Sequence, residues 1–402
     1  MVSVIVIVGL GVLSMGILSP ILPLYLTSIR VTPEILGLMF SVAMVGMVIG
    51  ETSSGWLADR FGIKLPLSVA TFASALVLFC FILTRSVPAI FAIFFFWGLV
   101  RSALFGPSRG YIGANTPVSK RATFMAIITA VVTASRSLGA LPSGFMADNW
   151  GYDSVIFAAS GIAMLAGFIV VIGLRKIRLA KLAPPSVAPS AIEELPPLNY
   201  RTSFLSLTPQ CVVTALQFLG LGALMTFLPL LATQVIGVRA TEVGILFTIA
   251  GLATMVMGIP IGMLADRVGK KIFMILGLLV SAVAMAGIAF AQSFSWLIVF
   301  LVVNGLGMVM FTPAALGFLS ETVPVHRQST AMGIYGGVCE NVGIIAGSAL
   351  GGFVWGAWGP QATFLMGTIA ASLGAVVCFG LVRSRPSQTS GLAPPIEDDS
   401  CC

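Results

Sequence analysis

Apolar stretches about 20 residues long follow one another along almost the whole chain, and this feature removes most folds from consideration. A segment of that length crosses the ~30 Å hydrocarbon core of a bilayer as a helix, because there every backbone N–H and C=O must be paired within the segment. Such helices are expected at 2–26, 34–56, 66–83, 89–110, 122–146 and 154–174, and again at 204–230, 242–264, 272–291, 293–319, 330–355 and 362–382. A transmembrane barrel would instead show ~10-residue segments of alternating polarity. Composition agrees: 58% of residues are hydrophobic and 9% charged, where a soluble domain carries about 25% charge. A soluble globular protein, a disordered chain and a nucleic-acid binder are excluded. The first run lacks the basic start and short core of a cleaved signal peptide, so it reads as a membrane helix.

Between the sixth and seventh runs the composition breaks. Residues 175–201 hold Arg175, Lys176, Arg178, Lys181, Glu193, Glu194 and five prolines, the makeup of a solvated linker. The expected organisation is a six-helix bundle over 1–174, a linker over 175–203, a second six-helix bundle over 204–383 and a polar tail over 384–402. The two bundles repeat each other. Gly55-Trp-Leu-Ala-Asp-Arg-Phe-Gly-Ile-Lys64 recurs as Gly262-Met-Leu-Ala-Asp-Arg-Val-Gly-Lys-Lys271, and Val31, Gly37 and Phe40 recur as Val238, Gly244 and Phe247, all at an offset of 207. A fixed offset held across about 100 residues marks an internal duplication, so the fold class is an all-α membrane protein of twelve helices in two pseudo-symmetric bundles.

The net charge of +7 reports topology. With an even number of spans both termini share a side. The side holding the Asp59 loop, the linker and the tail carries sixteen Lys and Arg, and the other carries only Arg30, Arg85 and Arg239. The positive-inside rule then makes both termini cytoplasmic in a multi-pass plasma- or inner-membrane protein. The six cysteines show no metal-type spacing. Cys80, Cys211, Cys339 and Cys378 lie in apolar runs, and the terminal Cys401-Cys402 pair is no prenylation box.

The duplicated Gly-x-Leu-Ala-Asp-Arg-x-Gly loops close helices 2 and 8. Gly55 and Gly262 suit close helix packing, Asp59 and Asp266 sit where a helix runs out, and Arg60 and Lys64 can meet carboxylates or helix C-termini. In these residues the chain resembles the major facilitator superfamily, and the likeness covers nearly its whole length. Within that family it is similar to the twelve-helix drug:proton antiporters. Pro20-x-x-Pro23-Leu-Tyr late in helix 1 is similar to that group, and so is Arg101 with Gly106 in helix 4, at a wider spacing than the family's. The family's helix-5 motif is half matched by Gly139-Ala-Leu-Pro142-Ser-Gly144, and helix 11 keeps more of the skeleton in Gly343, Gly347, Gly351 and Gly352. The resemblance implies gating loops at Gly55, Asp59, Arg60, Gly62 and Lys64 and at Gly262, Asp266, Arg267, Gly269 and Lys271. It also implies a cavity lined by helices 1, 4, 7 and 10. The plainer reading of the glycines is helix packing alone.

Glu51, Arg101, Arg136 and Glu340 fall inside the spans. Counted along straight helices, Glu51 and Arg101 lie ~12 Å from Asp59 and Arg109, Glu340 ~16 Å from Ser329 and Arg136 ~22 Å from Arg121. A charge at such depth costs ~3 kcal/mol or more unless it meets water or a partner. Two roles follow: ion pairs that lock helices, or proton coupling at Glu340 and Glu51 with substrate binding at Arg101 and Arg136. Gln217, Asn304 and Asn341 are weaker substrate-binding candidates, since membrane amides often tie helices together. There is no phosphate-binding loop, no zinc-type His pair and no serine elbow, and the single histidine, His326, falls in a loop. The expectation is a transporter and not an enzyme, with no cofactor and no nucleic-acid partner. It is expected to be monomeric in lipid, carrying a small amphipathic molecule outward by alternating access against protons. The alternatives are proton-linked uptake of an organic anion, and a non-transporting sensor on the same scaffold.

Overall fold

The computed structural model describes residues 2–105, 107–108, 121–173, 200–322 and 335–381. All regular structure among them is helical. The linker, the tail with Cys401 and Cys402, and His326 lie outside the described residues. In the first half, α1 (Val2–Leu18) breaks around Pro20, whose ring cannot continue an α-helix, and resumes over Leu22–Ser28. Then come α2 (Pro33–Phe61), α3 (Lys64–Leu83), α4 (Val87–Ser102), α5 (Arg121–Trp150) and α6 (Tyr152–Gly173). In the second half, α7 (Tyr200–Leu230) runs on as a widened π turn over Leu231–Ile236. It is followed by α8 (Ala240–Val268), α9 (Lys270–Ala289), α10 (Phe294–Thr322), α11 (Asn341–Trp358, entered through a π turn at Tyr335–Glu340) and α12 (Pro360–Leu381).

The helices differ from the sequence expectation at their ends. The expected linker reached residue 203, but α7 already begins at Tyr200; its polar first turn extends a helix that hydropathy sees only from Phe204 onward. The fourth run was expected to reach 110, whereas α4 ends at Ser102 and the chain turns through Ala103–Phe105. Arg101 therefore sits in the last turn of a helix, and the straight-helix distance to Arg109 does not apply.

Ten spans are long and apolar enough to cross a membrane among the described residues. Val87–Ser102 is apolar and shorter, and Arg121–Trp150 is the twelfth helix. Large apolar side chains such as Leu76, Val256 and Val376 are left exposed. An outer surface of that kind belongs in lipid. The halves pack alike: α2 on α4, α1 on α5 and α3 on α6 are matched by α8 on α10, α7 on α11 and α9 on α12. Small residues set these approaches. A Cβ on Gly98 would run into the carbonyl of Ala43, and one on Gly347 into that of Leu219.

The halves meet along two seams, α5 with α8 and α2 with α11. In the first, Gly144 abuts Ala240 and Thr241, Gly244 abuts the Ala140 carbonyl, and Thr248 Oγ1 donates to the Ser137 carbonyl at 2.8 Å. In the second, Gly37 meets the Ser348 carbonyl, Gly352 meets Pro33, and Ser41 Oγ donates to the Ile345 carbonyl at 2.9 Å. These contacts cluster toward the end carrying the Arg30 and Arg239 turns. There one buried core joins both halves, with Leu36, Phe94 and Ile156 in the same cluster as Leu224, Val243 and Trp355. Toward the opposite end, marked by Lys64 and Lys271, the core divides. One cluster, including Val4, Leu67 and Val170, belongs to the first half, and another, including Val213, Phe311 and Cys378, belongs to the second.

A single carboxylate caps the first seam. Asp148, at the end of α5, accepts from the backbone N–H of Ala240 (3.2 Å) and Thr241 (2.8 Å) and from Thr241 Oγ1 (2.5 Å). These are otherwise unpaired donors of the first turn of α8, where a negative charge also meets the helix dipole favourably. Asp148→Ala is expected to weaken this closed end by about 1 kcal/mol, a change of about fivefold in the ratio of closed to open. Spin labels at Ser86 and Ser293, in turns of the two halves at this end, check it by their distance distribution.

Candidate functional site

The sequence places four charged side chains inside the spans: Glu51, Arg101, Arg136 and Glu340. Arg101 points into a crevice within the first half, bounded by Ser14, Thr71, Ser74, Trp97 and Ala163 from α1, α3, α4 and α6. Its Nη2 donates to Met47 Sδ at 3.3 Å, its guanidinium carbon lies 4.7 Å from the centre of the Trp97 ring, and its buried Nε has no hydrogen-bond partner. The cation is thus held by a sulfur and an aromatic face. Arg136 is exposed on α5, about half a turn from the exposed apolar Leu138 and Phe145, so it points away from that apolar face. The two arginines are near enough for the charge of Arg136 to act on Arg101.

Neither arginine pairs with a described carboxylate, and the side chain of Glu51, half-buried on α2, makes no hydrogen bond or ion pair to a described residue. The lock of two ion pairs that the sequence allowed is therefore not formed by these three groups. Glu340 closes the π turn that leads into α11, and its charge reaches Tyr335 and Cys339. The turn is fastened to α7 by a 2.9 Å hydrogen bond between the hydroxyls of Tyr335 and Thr214.

The amide candidates are occupied to different degrees. Asn341 Nδ2 donates to the carbonyls of Gly336 and Gly337, both at 3.1 Å, satisfying oxygens within the π turn. Gln217 Nε2 donates to Ser281 Oγ at 2.8 Å and to Met308 Sδ at 3.1 Å, while its buried Oε1 has no partner. Asn304 is buried and its side chain makes no hydrogen bond to a described residue. The duplication relates these groups: Ser281, Asn304 and Met308 lie 207 residues after Ser74, Trp97 and Arg101. The second half thus builds an uncharged amide cluster where the first half holds a cation. Sequence reasoning missed Trp97 and Met47 as the supports of Arg101. Trp97 was within reach of it, standing one turn before the arginine on the same helix face.

The duplicated loops are built alike. Gly62 ends α2 at φ 81° and Gly269 ends α8 at φ 117°, a backbone region that favours glycine. Lys64 Nζ donates to the Val171 carbonyl at 2.7 Å and Lys271 Nζ to the Phe379 carbonyl at 3.0 Å. Each lysine thereby satisfies a carbonyl near the C-terminal end of the last helix of its own half, where a cation also suits the dipole. Arg60 lies with its guanidinium carbon 5.6 Å from the Phe61 ring. Gly262 was expected to permit close packing, but among the described residues no atom lies within 4 Å of where its Cβ would be. Nothing is described of the surroundings of Gly55 or of the side chains of Asp59, Asp266 and Arg267.

Comparison with known proteins accords with this architecture. The family model for the Major Facilitator Superfamily matches residues 4–208 and 210–398. An uncharacterized MFS-type transporter of Methanocaldococcus jannaschii is 20% identical over 347 residues, covering 85% of this chain and 87% of that one. The quinolone resistance protein NorA of Staphylococcus aureus is 30% identical over 137 residues, 34% of this chain and 35% of its own length. Among solved structures, a D-xylose–proton symporter superposes with a TM-score of 0.75 at 17% identity, covering 95% of this chain and 98% of that one. Two related bundles, closed on each other at one end and built on duplicated loops, thus coincide with a match along nearly the whole sequence: the chain belongs to the Major Facilitator Superfamily and is a multi-pass membrane transporter.

Proposed function

We propose that this transporter exports a small amphipathic molecule in exchange for protons. The observation that carries the reading is the two-seam closure at the Arg239 end together with divided cores at the lysine end. That arrangement is one of the two states that alternating access requires. By the distribution of cations the open end is cytoplasmic, as are both termini, so the state is inward-facing. Single cysteines near Lys181 and Arg239 are expected to label from opposite faces of intact cells, the Arg239 site from outside. The likeness to a quinolone resistance protein favours export. Glu51, unpaired at depth, and Glu340, at the π turn, are the groups proposed to take and release the proton. Arg101, Arg136, Gln217, Asn304 and Asn341 are proposed to shape and line the path of the substrate. The duplicated loops are proposed to gate the lysine end.

The decisive measurement uses purified protein in liposomes with pH gradients of both signs, tested with cationic, neutral and anionic dyes. Gradient-driven movement of the cationic or neutral dyes, abolished by a protonophore, is expected. A second reading, proton-linked uptake of an organic anion, is favoured by the proximity of Arg101 and Arg136 without a carboxylate partner. Accumulation of the anionic dye alone, in the direction of proton entry, would establish it in place of the first.

A further inference from the structure

The proposed function makes no use of the thiols. Cys211 on α7 and Cys339 in the π turn before α11 are free and close enough for each thiol to act on the other. The packing of α7 against α11 explains why they meet. Along this contact Gly343 abuts Ala215 and Gly347 abuts Leu219, so partners differ by a constant 128 in residue number. The next rung toward the lysine end pairs 211 with 339. Small residues hold the two backbones close over the first two rungs, and the third places sulfur against sulfur. The Tyr335–Thr214 hydroxyl bond fixes the turn beside them.

The two thiols are not equivalent. Cys339 is buried at 6% exposure, whereas Cys211 is half-buried. A thiol open to small reagents with a second thiol behind it is the arrangement of a sensing cysteine and its resolving partner. We infer that Cys211 and Cys339 form a reversible oxidation site for peroxide, closing to a disulfide that ties α7 to the π turn. The sulfur of Cys211 attacks one peroxide oxygen, the O–O bond breaks, and Cys211 becomes a sulfenic acid with release of water. The sulfur of Cys339 then attacks the sulfenic sulfur, the S–O bond breaks, and a second water leaves with the Cys339 proton. Two thiols are oxidised and one peroxide is reduced to two waters. Dithiol reductants reverse the change by exchange.

The consequence lies in the turn. A π turn holds one residue more than an α turn, and a shift between the two forms would swing Glu340 about its helix by about 100°. A disulfide at Cys339 fixes the turn one residue before Glu340. This inference does not depend on the direction or cargo of transport, and its test uses neither. Purified full-length protein in detergent is treated with hydrogen peroxide, digested without reduction and analysed by mass spectrometry. Amide exchange over 335–341 is followed in parallel. A Cys211–Cys339 linked peptide is expected, absent from Cys211→Ser and Cys339→Ser and lost with dithiothreitol, together with exchange slowed about tenfold in the oxidised protein. Two results would each overturn it: Cys211 oxidised without a link to Cys339, or a linked protein whose exchange over the turn is unchanged. The serine variants, which cannot form the link, should show no peroxide-dependent slowing; slowing in them would assign the effect to other residues and sink the inference.

Discussion

Gly144→Val is expected to yield a folded protein that no longer closes at the Arg239 end. The new side chain would meet the backbone of Ala240 and Thr241, which belong to the other half. Backbone cannot step aside as a flexible side chain can, and overpacking of this kind costs about 3 kcal/mol. That is a shift of about 100-fold in the ratio of closed to open. The clash exists only while the seam is shut, so it penalises one state and leaves the fold of each half alone. Transport should fall to background, with a normal melting temperature and longer distances between labels at Ser86 and Ser293. Gly98→Val supplies the contrast. Its side chain would strike the Ala43 carbonyl inside one bundle, in every state. It should lower thermal stability by a similar amount without favouring either conformer. If both variants simply unfolded, the two seams would not be the moving surfaces.

Glu340→Gln is expected to separate movement of substrate from the gradient that drives it. Glutamine keeps the size of the side chain and can still hydrogen-bond beside Tyr335, but it cannot carry a proton. The variant should exchange dye across the membrane at near the wild-type rate, while pH-driven accumulation drops about tenfold and loses its pH dependence. Undiminished accumulation would move the proton to Glu51, the other interior carboxylate. A drop in melting temperature without a coupling defect would instead assign Glu340 to holding the π turn in place.

The sequence announced the architecture because its two strongest signals, long apolar runs and a fixed repeat, are one-dimensional. Hydropathy is blind to what ends a helix inside lipid. Leu104 and Phe105 are as apolar as Leu99 and Val100, so hydropathy ran past the end of α4 after Ser102, and the sign of a stop was the Gly106-Pro107 pair just beyond. The π turns were equally hidden, since Tyr335–Glu340 is held by Thr214 on another helix and by the amide of Asn341. Interior charges stood out by rarity, but their partners did not. Met47 supports Arg101 and Met308 receives Gln217, and a thioether reads as one more apolar letter. The glycines of the fifth and eleventh helices were legible as packing positions. That some of them face the opposite half could be learned only from which surfaces the fold brings together.

The cap that Asp148 places on the first turn of α8 also says something about speed. Its carboxylate and the Thr241 N–H and hydroxyl it receives lie at the exposed rim of the seam. As the rim parts, water can hydrate both at once, so the loss of these bonds is largely compensated and little remains as a barrier. The Thr248–Ser137 bond deeper in the same seam is buried and has no such help from water. A rim that exchanges protein for water hydrogen bonds lets the two conformers lie close in free energy, within reach of thermal motion. A transporter that alternates between two such states gains from that near-balance, because the binding of one small molecule then suffices to tip it.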